Sequence, residues 1–120
     1  MREFMIELKN EKGSILVSDT ALSVITGAAA TSCFGVKGMA YRSMTDGLVH
    51  LLRREAMSKG VHITQHEGNE ISIELHIVVE HGVNISAVCR AIMGQVRYLV
   101  TENTGAVVRG VNVCVDSMTM

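Results

Sequence analysis

Proline and tryptophan are absent from the 120-residue chain, and only four side chains are aromatic: Phe4, Phe34, Tyr41 and Tyr98. With no proline, and no Gly/Ser-rich or single-charge run, nothing resembles a linker, so one compact domain over residues 1–120 is expected. So few aromatics leave little to stack on bases or to line a sugar cleft. An excess of one charge is also missing, since 11 Lys and Arg stand against 12 Asp and Glu for a net charge of -1. Nucleic-acid binders take much of their affinity from neutralising phosphates, so composition argues against such a partner. Cysteine is scarce too: Cys33, Cys89 and Cys114 are widely spaced, odd in number and form no CxxC. A disulfide scaffold is excluded, and small buried thiols in a reducing compartment are the expectation, with a catalytic thiol as the alternative. No window offers the roughly 18 apolar residues of a membrane span. The N-terminus carries Arg2, Glu3, Glu7 and Lys9 where a signal peptide would be apolar. On these absences a cytoplasmic chain is expected, peripheral to a membrane at most through a partner.

What is present is apolar. Hydrophobic residues make up 48% of the chain and charged residues 19%, enough to bury a core and exclude disorder. Eight methionines, among them Met39, Met44, Met57, Met93, Met118 and Met120, suit adaptable contact surfaces as well as core gaps. With near-zero net charge, this composition favours self-association or a protein partner.

Phe4 to Val17 reads as two strands around a turn at Asn10-Glu11-Lys12-Gly13. Ser18 caps a helix with Leu22, Ile25 and Ala29 on its apolar stripe, ending near Gly35. A second helix is predicted from Thr45 or Asp46 to Gly60, with Leu48, Leu51 and Leu52 on its inner face. Ile71, Ile73, Leu75, Ile77 and Val79 alternate with Ser72, Glu74 and His76, the pattern of a strand with one face in solvent. Val61 and Ile63 form its hairpin partner. Asn84 caps a third helix reaching about Asn103, with Ile85, Val88, Ile92, Val96 and Leu99 inside, and Val107 to Val115 closes the chain as a strand. The expected fold class is α+β: two layers, three helices packed on a mainly antiparallel sheet containing one C-terminal β-α-β unit.

Four groups of residues carry chemistry worth weighing. A three-residue loop at 68–70 places His62 opposite His76 on the polar face, with Thr64 opposite Glu74 and the nearest carboxylate diagonal. Two histidines are half a tetrahedral shell, so the pattern reads first as solvated strand polarity, with His62 and His76 as weak metal candidates. Glu80-His81-Gly82 has the residue types of an acid/base pair, but no nucleophile or oxyanion feature accompanies it. Gly35-Val36-Lys37-Gly38 fits the G-x-x-G of a nucleic-acid clamp, or else a helix-to-strand turn that requires glycine. Arg53, Arg54 and Lys59 complement a helix C-terminus, or form a docking surface for anionic lipid or an acidic partner. No catalytic constellation and no cofactor loop emerge, so neither an enzyme nor a cofactor is expected.

Val78-Val79-Glu80-His81-Gly82-Val83-Asn84-Ile85 resembles the "VVEYGV-x-I" segment of the alkaline-shock protein family, the envelope stress response proteins of Gram-positive bacteria. Thr104-Gly105-Ala106 and Val111-Asn112-Val113-Cys114-Val115 are similar to its "TG-x-x-V…VNV-x-V" ending. Ile25-Thr26-Gly27-Ala28-Ala29-Ala30 and Gly35-Val36-Lys37-Gly38-Met39 match its "IAG-x-AA…GV-x-G-(M/L)" region, so the likeness spans roughly residues 14–116. His81 stands where tyrosine is common, and Cys33-Phe34-Gly35 replaces Val-Pro-Gly. The long charged tails of larger members are missing, as in the short, minimal type. The resemblance implies a non-enzymatic, self-assembling protein beneath the membrane, held by a membrane-anchor protein. Short members also imply a second partner, a fatty-acid-kinase-like protein. The family brings no catalytic residues, and Gly35, Gly38, Gly82 and Gly105 read as backbone requirements.

Overall fold

The computed structural model describes residues 5–42, 47–52 and 58–120. The described elements run β1 (Met5–Asn10), β2 (Gly13–Ser18), α1 (Asp19–Thr31), β3 (Val36–Arg42), β4 (Val49–Leu51), β5 (Val61–Gln65), β6 (Glu70–Val79), α2 (Ile85–Thr104) and β7 (Val107–Met118).

β6 is the axis of a five-stranded sheet. One of its edges pairs in parallel with the whole of β7. Its other edge is shared end to end by two antiparallel strands, β5 along Ile71–Leu75 and β3 along Ile77–Val79. Every odd position of β6 from Ile71 to Val79 is fully buried, which is what strict alternation on a sheet covered on one side dictates. Both helices cover that side: α1 lies on β3 and β5, α2 on β7, and the two touch.

Caps fix the helix ends. The Ser18 hydroxyl accepts from the Ala21 N–H at 3.0 Å, and Asn84 Oδ1 accepts from the Ala87 N–H at 3.0 Å. α2 stops at Gly105, left-handed with φ +79°, whose N–H donates to the Thr101 carbonyl. The buried stripe of α2 is Val88, Ile92, Val96 and Val100. Ile85, expected inside, is exposed, and Leu99 is half-buried.

The expected three helices are corrected to two among the described residues. The stretch predicted as a second helix contains β4 instead, paired with β3 through Tyr41 and His50. Leu48, Leu51 and Leu52 have helical spacing, but packing overrides it. Leu51 lies over Gly38, where an added Cβ would be 2.9 Å from its Cδ1, and the Leu52 N–H donates to the Met39 carbonyl at 2.8 Å. The proposed start of that helix at Thr45 or Asp46 lies outside the described residues.

β1 and β2 form a separate two-stranded sheet. Ile6 and Leu8 turn into the core, and the hairpin is tied to the β5–β6 turn by polar contacts. The Lys9 N–H donates to Asn69 Oδ1 at 3.1 Å, and Gln65 Nε2 donates to the Glu7 carbonyl at 3.0 Å.

Candidate functional site

The uncovered face of the five-stranded sheet gathers the polar residues of three strands. Even positions of β6 point there, and the register brings neighbours to them. His62 of β5 sits opposite Glu74, and Thr64 opposite Ser72. The expected pairing of His62 with His76 is therefore corrected by two residues. The loop keeps three residues but sits one position earlier, at 67–69, since Gln65 pairs with Ile71 and the His66 N–H donates to the Glu70 carbonyl at 2.8 Å. The carboxylate is the direct neighbour of His62 and the second histidine is the diagonal one. The His62 and His76 rings still meet edge to face, with centroids 5.8 Å apart.

From the other side β7 adds Asn112 opposite Glu74 and Cys114 opposite His76. Between Ile77/Val115 and Val78/Ser117 the register steps by one residue, leaving Asp116 as the extra residue of β7. Its carboxylate, 11% exposed, places both oxygens 3.0 Å from His76 Nδ1. The opposite ring nitrogen, Nε2, lies 3.4 Å from Glu74 Oε2. His62, Glu74 and His76 thus offer donor atoms all within 4.8 Å of one another. Glu74 and Asp116 escaped selection on sequence. Glu74 was available from the alternation once the register was right, whereas nothing local signals Asp116, 40 positions from His76.

The three thiols are all pushed above their ordinary value of 9.0. Burial raises Cys33, with a hydrogen bond from Ser32 pulling the other way, and burial alone raises Cys89. Burial also leads at Cys114, reinforced by the carboxylates of Glu74 and Asp116. They are thiols rather than thiolates at neutral pH.

The remaining candidates are scattered. Gly35 ends the turn after α1, and Val36 to Gly38 already belong to β3, with the Gly35 carbonyl accepting from the Glu80 N–H. The G-x-x-G segment is thus strand backbone committed to a sheet rather than a projecting clamp loop. Gly82 lies in the turn between β6 and α2, beside exposed His81, whose N–H donates to the Thr119 hydroxyl. Lys59 is exposed in a short 3₁₀ turn at 58–60, while Arg53 and Arg54 lie outside the described residues. Met39 is core, Met93 and Met120 are exposed, and Met44 and Met57 lie outside the described residues.

The architecture defines a small α+β domain with two described helices on one side of a mainly antiparallel sheet and a polar face on the other. The chain belongs to the alkaline shock protein 23 family, described as having a cell envelope-related function, whose model matches residues 7–120. It is 37% identical over 114 residues to the uncharacterized Bacillus subtilis (strain 168) protein YloU, covering 94% of each chain. It is 32% identical over 114 residues to the uncharacterized protein Spy1614 of Streptococcus pyogenes serotype M6, covering 94% of this chain and 93% of that protein. Among solved structures, a double variant of MamM-CTD matches with a TM-score of 0.49 and 14% identity. That match covers 83% of this chain and 94% of the other, a similarity too slight to carry function across. No described helix is long and apolar enough to cross a membrane.

Proposed function

We propose that this protein is a non-enzymatic, self-assembling interaction protein that acts at the cytoplasmic side of the envelope through protein partners. Strand β2 carries the reading. Among the described residues it pairs only with β1, and its sequence, Gly-Ser-Ile-Leu-Val-Ser, has no charge and no proline. Ile15 and Leu16 are 54% and 58% exposed. Edge strands are ordinarily guarded by charges, bulges or proline against pairing with another chain. β7, one of the edge strands of the larger sheet, carries such devices in Arg109, Asp116 and two register steps. An unguarded edge on a marginal two-stranded hairpin is suited to completion by a strand from another copy. The cell envelope-related function of the family supports the location.

Fractionation of native cells tests the envelope half of this reading. The protein is expected to sediment with membranes and to be released by alkaline carbonate without detergent, as a peripheral protein is. Recovery of all of it in the supernatant of gently lysed cells would contradict the reading. Crosslinking before lysis separates the two partner classes, a membrane-anchor protein and a fatty-acid-kinase-like protein.

A further inference from the structure

We propose that the open face of the central sheet carries a site for a divalent transition-metal ion such as zinc, held by His62, Glu74 and His76.

The spacing fits. Zinc binds imidazole nitrogen and carboxylate oxygen at about 2.0–2.2 Å, so donors in a tetrahedral shell stand about 3.3 Å apart. Glu74 Oε2 and His76 Nε2 are already 3.4 Å apart. The His62 donor lies within 4.8 Å of both, on an exposed side chain of the adjoining strand, where rotation of the imidazole closes the remainder.

Asp116 supplies what a metal-bound histidine requires behind it. A carboxylate can only accept, so the proton of a neutral His76 sits on Nδ1, held between the two Asp116 oxygens. The lone pair on Nε2 then faces Glu74 and His62. A carboxylate fixing the far nitrogen of a ligating histidine in this way raises its basicity and locks its orientation. The register step in β7 is what delivers Asp116 to that nitrogen.

Charge and access agree with the geometry. The two carboxylates, one in the shell and one behind it, balance a divalent cation. Two imidazoles and one carboxylate favour zinc, cobalt or nickel over magnesium and calcium, which prefer oxygen donors throughout. Three protein donors leave a fourth position open, and a depression of ≈ 200 Å³ lined by His62, Thr64, Ser72, Glu74 and Asn112 adjoins it. A water molecule or a donor from another molecule completes the shell there.

The test uses the full chain, free of any affinity tag and treated with chelator. Zn(II) is titrated calorimetrically, and Co(II) is followed by the visible absorption that marks tetrahedral coordination. One equivalent is expected to bind at low-micromolar affinity or better, with millimolar Mg(II) failing to compete. His62→Ala and His76→Ala should each weaken binding at least tenfold, and Asp116→Asn by about tenfold, the usual size of an orienting carboxylate's effect. His81→Ala should leave it unchanged. His62 is exposed, so its variant separates loss of a ligand from loss of the fold, checked by circular dichroism. No binding of either ion at about 100 μM would overturn the site and leave His76 as an ion-pair partner of two carboxylates. Wild-type affinity in His62→Ala and His76→Ala would overturn it equally.

Discussion

A Cβ added at Gly35 would lie 2.9 Å from Cγ2 of Val88, the first buried residue on the inner stripe of α2, and 3.1 Å from Cγ1 of Val83. Gly35 also holds φ at +91° while its carbonyl accepts from Glu80. The turn after α1, the end of β6 and the start of α2 therefore converge on one residue without a side chain. Gly35→Ala is expected to destabilise the fold by about 2 kcal/mol or more, combining left-handed strain with overpacking. Gly82→Ala, at φ +86° with open space around it, should cost only the strain, about 1 kcal/mol. Urea unfolding of the two variants measures the difference, and equal losses would show that Val88 and Val83 yield without cost.

Thr26 is fully buried on α1, and its hydroxyl has no hydrogen-bond partner among the described residues. A buried unsatisfied hydroxyl costs about 1–3 kcal/mol. Thr26→Val, which keeps the shape and removes the orphan, is expected to raise stability by about 1 kcal/mol, or about 4 °C in Tm. Thr26→Ala should gain less, because it also leaves a cavity. Calorimetry decides, and a destabilised Thr26→Val would show that the hydroxyl is satisfied in solution.

The raised thiols make stability depend on pH in a definite direction. Their folded pKa values lie above the ordinary value of 9.0, so between the two the unfolded chain gives up protons that the folded chain keeps. The stability they contribute is complete below about pH 9 and is lost as pH rises through the folded values. Unfolding midpoints at about pH 7.5 and about pH 10 should therefore fall less steeply when all three cysteines are replaced by alanine. Parallel declines in the wild type and the triple variant would contradict the assignment.

Where local pattern and tertiary packing agree, the fold was legible in the residues. The alternation from Ile71 to Val79 gave β6 and its buried face, and Asn84 with Gly105 bounded α2. Leu48, Leu51 and Leu52 misled because helical spacing in a short apolar stretch is weak evidence against strand pairing. What decided there was Gly38, a gap on the neighbouring strand that Leu51 fills. The histidine pair was visible as composition on one face, but its register depended on the turn at Gly68 and came out two residues away. Asp116 could not be found at all, because its place beside His76 comes from a one-residue step in a parallel pairing between strands separated by a helix.

Sedimentation velocity over about 5 to 500 μM tests the central claim, assembly through the uncharged edge of β2, most directly. The weight-average sedimentation coefficient of the wild type should rise with concentration beyond the monomer value. Leu16→Lys, which places a charge on the exposed edge, should return it toward monomer without loss of fold. A wild type that stays monomeric throughout, or a Leu16→Lys variant that assembles as the wild type does, would contradict it.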